Sequence, residues 1–267
     1  DVTDPSALSG NFGNDNPQYC FENTFSVANM LKKYTTNVVL KVQIGNGTTD
    51  YYTLNGSNSV VYTEEKLKEL AYGKMVAAVT ESVIKDGLKS GEELAYTDFE
   101  ITIADNVTTG TEGYLSISSM TLNATGEAKY STTDKATAVE TAISLALSGV
   151  NTDLQSNVKL TKYAGGVCYY AARIKHFNES TPWTPEEKTA AYESVNPDRD
   201  YLGRYGVLRN NWYDLSISKI TNIGSAELPT FTNSSDGGDE TDDDIESYVV
   251  LKINILSWAK RAQDVEL

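Results

Sequence analysis

Histidine is the scarcest of the residues that commonly carry catalytic chemistry. The chain of 267 residues has one histidine, His176. A lone histidine without a nearby Cys or Asp motif is usually structural, and no histidine-based zinc site can be built from it. The sequence also lacks a Gly-x-Ser-x-Gly motif and a glycine-rich loop that would cradle phosphate before a helix. Pairs of carboxylates are common in any acidic chain, so their presence is not specific evidence for glycosidase activity. We therefore expect no enzymatic activity and no cofactor.

Cysteine is almost as scarce, with only Cys20 and Cys168 in the chain. This count excludes a disulfide framework and permits at most one bridge, between these two residues. Two separate buried thiols are the alternative, and we favour it.

Basic residues are outnumbered, with 22 Lys and Arg against 37 Asp and Glu and a net charge of −15. Such a surface repels phosphate backbones and anionic lipids, so nucleic acid is not an expected partner. No apolar run reaches the roughly 18 residues that a transmembrane helix needs, and no signal segment opens the chain. Because the chain begins at Asp1, we expect a processed product whose signal sequence or earlier domain lay upstream.

Acidic residues concentrate in the run DGGDETDDD, residues 236–244. Calcium prefers clustered oxygen ligands, which makes Asp239, Asp242 and Asp244 a candidate site. The run lacks EF-hand spacing and its closing glutamate, so a solvated acidic loop is the favoured interpretation.

Tyrosine is abundant, with 17 Tyr against six Phe, as is typical of strands that face water on one side. Alternation and capping signals predict an α+β, β-dominated fold. The predicted strands cover 36–44, 50–54, 97–104, 113–122, 158–160, 167–174, 205–220 and 248–258, the first two joined as a hairpin by Gly45-Asn46-Gly47. The predicted helices run from the Thr63 cap to Asp86-Gly87, from the Thr133 cap to Gly149, and onward from the Thr184 cap.

Asparagine occurs in six Asn-x-Ser/Thr sequons, which indicate surface loops and would be glycosylation acceptors in a eukaryotic secreted chain. They lie at Asn46, Asn55, Asn106, Asn123, Asn178 and Asn233.

The C-terminal segment VVLKINILSW (residues 249–258) has one wholly apolar set of alternate residues and a mixed set, Val250, Lys252, Asn254, Leu256 and Trp258. One face of a strand here carries Val249, Leu251, Ile253 and Ile255, which are all apolar and must be buried. A strand at the end of a chain either joins its own sheet or is exchanged with another molecule. Periodicity alone favours the first of these alternatives.

Four groups of residues together resemble the type V pilins, the fimbrillins of Bacteroidales. They are YCFENTF (19–25) followed by the strand 38–44; CYY (168–170) with IKHFN (174–178); YGVLRNNWYDL (205–215) running on to Ile220; and INILSW (253–258) with QDVEL (263–267). The likeness is greatest to the C-terminal domain of the shaft subunit of the short, or minor, fimbriae.

The resemblance implies a β-sandwich, transthyretin-like pilin domain with inserted helices, here as a single domain over 1–267 with the N-terminal pilin domain absent. It implies a lipoprotein precursor secreted through the periplasm and a fimbria attached to the outer membrane, active in adhesion, biofilm and virulence. A protease removes an N-terminal strand, and the C-terminal strand of a neighbouring subunit fills the opened groove. The donor residues are then Val249, Leu251, Ile253 and Ile255, with Trp258, Val265 and Leu267 extending the joint.

The expected partners are other pilin subunits in a head-to-tail polymer, accessory anchor and tip proteins, and surface ligands of the host or of bacteria. The fragment itself is expected to be monomeric, because it can donate a strand but cannot receive one. The alternative is a tip or accessory adhesin that binds glycan or host protein through loops such as Thr181-Pro182-Trp183. The terminal segment favours a shaft subunit, since a tip subunit needs no donor strand.

Overall fold

The computed structural model describes residues 12, 19–26, 29–104, 106–109, 111–176, 202–230 and 249–257. The helices are α1 (Glu64–Ala78), α2 (Glu81–Lys85), α3 (Ala124–Ala128) and α4 (Thr133–Asn157). The strands are β1 (Asn23–Ser26), β2 (Asn37–Gln43), β3 (Tyr51–Leu54), β4 (Phe99–Ala104), β5 (Glu112–Tyr114), β6 (Ser116–Leu122), β7 (Lys159–Tyr163), β8 (Val167–Arg173), β9 (Leu202–Val207), β10 (Asn211–Ile220) and β11 (Val249–Ser257). This mixture of helices and antiparallel sheets confirms the predicted α+β, sandwich-like class. The predicted helix at Thr184 lies outside the described residues.

The chain divides into two compact units. The first unit contains residues 1–42 and 168–267, and the second contains residues 43–167. In the first unit β1 pairs with β9, β2 with β8 and β10 with β11. In the second unit β7 lies between β3 and β5, and β4 pairs with β6. That residues 1–267 form one pilin domain stays a prediction.

Helices α1 and α4 supply much of the apolar core of the second unit. Leu67, Ala71 and Met75 on α1 recur every four residues and are buried. On α4 the buried positions are Ala136, Val139, Ile143, Val150 and Leu154. These side chains pack with Met120 of β6, Leu160 of β7 and Leu115, which lies between β5 and β6. Each large apolar side chain that is buried in this way contributes about 1.5–3 kcal/mol of transfer free energy.

Two predicted helix ends are wrong. Helix α1 ends at Ala78 because Val79 takes an extended conformation, and the short α2 then precedes Asp86. Helix α4 passes through Gly149 and continues to Asn157. The apolar face continues beyond Gly149 with Val150 and Leu154, so burial of that face outweighs the modest helix propensity of glycine.

The predicted hairpin between β2 and β3 is also wrong, although both strands are present. Strand β3 pairs with β7, with Tyr51 opposite Tyr163 and Leu54 opposite Leu160. The turn residues Gly45 and Gly47 have left-handed backbones, as the turn chemistry predicted. Asp50, however, accepts a hydrogen bond from Gly165 N–H at 2.9 Å and pairs with Lys162 at 3.1 Å. These contacts hold the start of β3 against the end of β7.

The core of the first unit includes Tyr205 and Val207 of β9 and Cys168 and Tyr170 of β8, all buried. The guanidinium of buried Arg173 lies 3.7 Å from the ring centroid of Tyr205. Stacking of this kind stabilises a buried arginine beside an aromatic face.

The two cysteines are both free thiols. Cys20 is exposed and Cys168 is buried, so the structure contains no bridge between them. The favoured alternative of two buried thiols is correct for Cys168 and wrong for Cys20. Its segment precedes β1 and leaves Tyr19 and Phe21 exposed as well.

No helix among the described residues combines the length and apolar character that a bilayer crossing requires.

Candidate functional site

Strands β10 and β11 form a two-stranded antiparallel ribbon, which contains four of the predicted donor residues, Val249, Leu251, Ile253 and Ile255. The register runs from Asn211 opposite Ser257 to Ile220 opposite Val249, with an irregularity between Ile217 and Lys219. Residues 249–257 therefore lie in a sheet of their own chain. Strand β10, which falls within the strand predicted at 205–220, lies beside this terminal strand.

One face of the ribbon is apolar. Because alternate residues of a strand share a face, Tyr213, Leu215 and Ile217 lie on one side of β10. Ile255 and Ile253, the partners of Tyr213 and Leu215 across the ladder, lie on the same side. We call these five residues the apolar face. Tyr213, Leu215 and Ile253 are half-buried, but Ile217 is 48% exposed and Ile255 is also exposed. Apolar area therefore remains open to solvent at the ribbon.

The remaining predicted donor residues differ in how far the structure describes them. Leu251 takes the register position opposite Ile217, and Val249 the position opposite Ile220. Trp258, Val265 and Leu267 lie outside the described residues, as do the loop 181–183 and the candidate calcium ligands Asp239, Asp242 and Asp244. Within the described ranges, no three His, Cys, Asp or Glu side chains are grouped to hold a metal ion.

The opposite face of the ribbon mixes polar and apolar side chains. Trp212 lies across from Leu256, and these side chains are 42% and 55% exposed. Asn254 Nδ2 donates a hydrogen bond to Asp214 Oδ2 at 3.5 Å. The pattern of residues 249–258 predicted one apolar and one mixed face but did not predict that Trp212 would pair with Leu256.

Tyr213 fixes the end of the ribbon where β10 begins. Its hydroxyl accepts a hydrogen bond from Leu208 N–H at 2.7 Å and lies 2.7 Å from Nδ1 of His176. With one lone pair engaged by Leu208, the hydroxyl can donate its proton to the neutral imidazole. Burial lowers the pKa of His176, which favours that neutral form, and burial raises the pKa of the Tyr213 hydroxyl. The single histidine thus has a structural contact, as its isolation in the sequence indicated.

The polar cluster before β10 builds the turn that leads into the ribbon. Asn210 adopts the left-handed conformation with φ of 60°, which asparagine tolerates better than most residues. Asn211 Nδ2 donates to the carbonyl oxygens of Leu208 and Arg209 at 3.4 and 3.1 Å. Arg209 forms an exposed ion pair with Glu22 at 3.0 Å, which stabilises the turn little. These polar residues therefore act as scaffold.

The ribbon and this turn fall inside the part of the chain that a known family matches. Residues 161–264 match the fimbrillin C-terminal family model. The family is described as major fimbrial subunit protein type IV, fimbrillin, C-terminal. The match covers 104 of the 267 residues, so this part of the chain is similar to the C-terminal part of a major fimbrial subunit. No curated protein matches the chain.

The fimbrillin match begins within β7 and includes β8, β9, β10 and β11. It contains the groups at 168–178 and 205–220 and most of the group at 253–267, whereas the group at 19–44 lies before it. The described part of the match therefore has the ribbon as its C-terminal element.

Proposed function

We propose that the chain is a shaft subunit of a Bacteroidales fimbria, most like that of the short fimbriae, and that it polymerises by donor-strand exchange. In this proposal the apolar positions of β11 enter a groove of the neighbouring subunit. Trp258, Val265 and Leu267 extend the joint. The role is structural rather than catalytic.

The main support for this proposal is that the ribbon has an unpaired strand edge and exposed apolar side chains. In the described part of the chain, β11 has β10 along one edge and no strand along the other. Its exposed Ile255 and Leu256 lie at the end nearest the C-terminus. An unpaired edge offers N–H and C=O groups at which another chain can add a strand.

The energetics of such a joint are favourable. Each large apolar side chain that moves from water into a groove gains about 1.5–3 kcal/mol, and main-chain hydrogen bonds fix the register. Ordering the strand and loss of translational freedom subtract from this gain. Repeated head-to-tail contacts that do not close into a ring produce an open filament.

The proposal places the precursor on a lipoprotein route through the periplasm. A protease then removes an N-terminal strand from each subunit and opens the groove. The resulting fimbria is attached to the outer membrane, with accessory anchor and tip proteins at its ends.

The test uses full-length pilin with substitutions on the two faces of β11. Ile255→Lys places a charge on the apolar face, and Leu256→Lys places the same charge on the opposite face. We expect Ile255→Lys, and deletion of 258–267, to abolish ladders on unboiled gels and filaments in electron micrographs. Leu256→Lys is expected to retain both.

Persistence of filaments in both Ile255→Lys and the deletion variant contradicts donor-strand exchange through this segment. Equal loss in Ile255→Lys and Leu256→Lys contradicts the assignment of the apolar face as the inserting face.

A second candidate function, an adhesin for glycan or host protein, draws support from exposed aromatic side chains. Tyr19, Phe21 and Trp212 are exposed, and aromatic faces are common in sugar and protein contacts. A glycan array distinguishes this function, with binding expected to fall in Trp183→Ala or Trp212→Ala. Absence of binding by assembled wild-type fimbriae contradicts it.

A further inference from the structure

Strand β4 has an outer edge that no other strand covers in the described part of the chain. Asn123 N–H donates to Asp98 C=O at 2.9 Å, which places the hydrogen-bonded pairs of the β4–β6 ladder at Asp98, Glu100 and Thr102. The main-chain groups of Phe99 and Ile101 consequently point away from β6. Phe99 N–H donates a hydrogen bond to the C=O of Tyr96, three residues earlier. The outer edge is left with the carbonyl of Phe99 and with both main-chain groups of Ile101.

The far edge of β6, in the same sheet, is covered by side chains of α4. Asn151 of α4 accepts from Ile117 N–H at 2.8 Å and donates to Ile117 C=O at 2.9 Å. Glu140, also of α4, accepts from Leu122 N–H at 3.1 Å. Side chains of α4 therefore satisfy one edge of the two-stranded sheet, and no described side chain does the same for Ile101 on the other edge.

A cleft of about 320 Å³ lies between the first residues of β4 and α1. Its walls are formed by Glu65 and Lys68 of α1 and by Tyr96, Thr97, Phe99, Glu100 and Ile101. Phe99 and Ile101 line the cleft although these residues are only 8% and 7% exposed. The volume is at the lower end of the range for small-ligand pockets, which suits a few residues of extended chain.

The charges around the cleft favour a basic occupant. Lys68 is paired with Glu64 at 2.8 Å, which neutralises the basic side chain in the wall. Glu65 and Glu100 are exposed on opposite walls, and neither is in an ion pair among the described residues. The net charge of −15 also disfavours a second copy of this acidic chain at the cleft.

We propose that the cleft between α1 and β4 binds an extended peptide segment that carries a basic side chain and adds as a strand to the edge of β4. The N–H and C=O of Ile101 form hydrogen bonds with the main chain of one residue of the segment. Glu65 and Glu100 form ion pairs with its lysine or arginine side chain. The free groups from Phe99 to Ile101 span about 7 Å, so the ladder is short and the contact is weak without charge pairing. The site is remote in sequence from the β10–β11 ribbon, and the inference does not rest on donor-strand exchange.

The probe is a capped seven-residue peptide of alternating valine and lysine, titrated into the full chain by calorimetry, with amide hydrogen exchange of Ile101 as a second measurement. We expect binding to slow exchange at Ile101. The same peptide N-methylated at alternate main-chain nitrogens is expected to lose binding, because it cannot donate the ladder hydrogen bonds. Glu100→Lys is expected to weaken binding by about three- to tenfold, the size expected when one exposed charge is reversed.

Glu112→Lys is the matched control, since Glu112 is an exposed glutamate on β5 of the same unit and does not line the cleft. It makes the same change in net charge and is expected to leave binding unchanged. Equal weakening in both variants indicates a general charge effect and overturns the proposal. Absence of binding, undiminished binding of the N-methylated peptide, or unchanged exchange at Ile101 also overturns it.

Discussion

Tyr213 on β10 lies opposite Ile255 on β11 in the ribbon. The tyrosine is held by its hydroxyl, which contacts Leu208 N–H and His176, whereas the isoleucine is exposed. Burial alternates from Asn211 to Leu215 and then gives way to exposed positions as far as Ile220. The ribbon thus has an anchored end near Tyr213 and an open end near Ile220, and its apolar residues remain accessible to another molecule.

His176 provides a pH-dependent test of the anchored end. Burial lowers the pKa of His176 from its ordinary value of 6.5. The unfolded chain then binds the proton at higher pH than the folded chain, so the free energy of unfolding falls as the pH drops below 6.5. Because the chain has one histidine, NMR of the imidazole Cε1–H gives a single titration.

We expect that titration to have its midpoint below 6.5 in the folded protein. Urea unfolding between about pH 8 and pH 5 is expected to show a loss of stability that is smaller in His176→Gln. Tyr213→Phe removes the hydroxyl but keeps the ring, so it is a control for the contact between that hydroxyl and His176. A midpoint at or above the ordinary value contradicts the buried neutral imidazole.

The two cysteines make a second prediction because they differ in exposure. Cys20 is exposed and Cys168 is fully buried. We expect the native protein to react rapidly with one equivalent of maleimide at Cys20, and the urea-unfolded protein to react with two. Cys20→Ser is expected to abolish the fast reaction, and Cys168→Ser to leave it intact. Absence of any reaction before reduction, followed by two thiols after it, indicates a disulfide and contradicts the structure.

Periodicity predicted the faces of the elements better than their partners. The spacing of Leu67, Ala71 and Met75 predicted the buried face of α1, because every fourth residue of a helix returns to the same side. The alternation at 249–258 predicted the strand β11 in the same way. These are local properties, and a local pattern is sufficient to show them.

Strand pairing and helix ends depended on residues far away in the chain. Tyr51 pairs with Tyr163, and nothing within the turn at Gly45 and Gly47 indicates that partner. Helix α4 continues past Gly149 because Val150 and Leu154 are buried against strands that come earlier in the chain. The open edge of β4 could not be predicted either, since it depends on which strands and side chains reach each side of the sheet.

Asp98 makes a third prediction, about an ion pair of the second unit in which the carboxylate is buried. Its carboxylate accepts from Ala95 N–H at 2.7 Å and pairs with Lys129 Nζ at 2.7 Å, and the residue is 3% exposed. Loss of Asp98 leaves Ala95 N–H without its acceptor and Lys129, whose side chain is 21% exposed, without its carboxylate partner. We expect Asp98→Ala to lower the free energy of unfolding by about 3 kcal/mol in urea denaturation.

The matched control for Asp98 is Asp153→Ala, which removes an ion pair with Lys74 of similar length, 2.8 Å, but with both side chains largely exposed. Water replaces such a partner readily, so we expect stability to remain nearly unchanged. Equal losses in the two variants contradict the importance of burial for the Asp98 pair.

Two glycines in helices make opposite predictions for substitution by alanine. Gly149 lies in the interior of α4, and a Cβ added there meets no atom within 4 Å. Gly126 lies in α3, where an added Cβ comes 2.3 Å from Asp98 O. Alanine restricts the unfolded chain at both positions, but only Gly149 has room for the side chain. We expect Gly149→Ala to raise the free energy of unfolding by about 0.5–1 kcal/mol and Gly126→Ala to lower it by at least about 1 kcal/mol.

Urea denaturation of the two variants beside wild type measures both changes. Since the substitution is chemically identical, a change of the same sign in both variants means that helix propensity alone determines the effect and that the close approach of Asp98 to Gly126 is irrelevant.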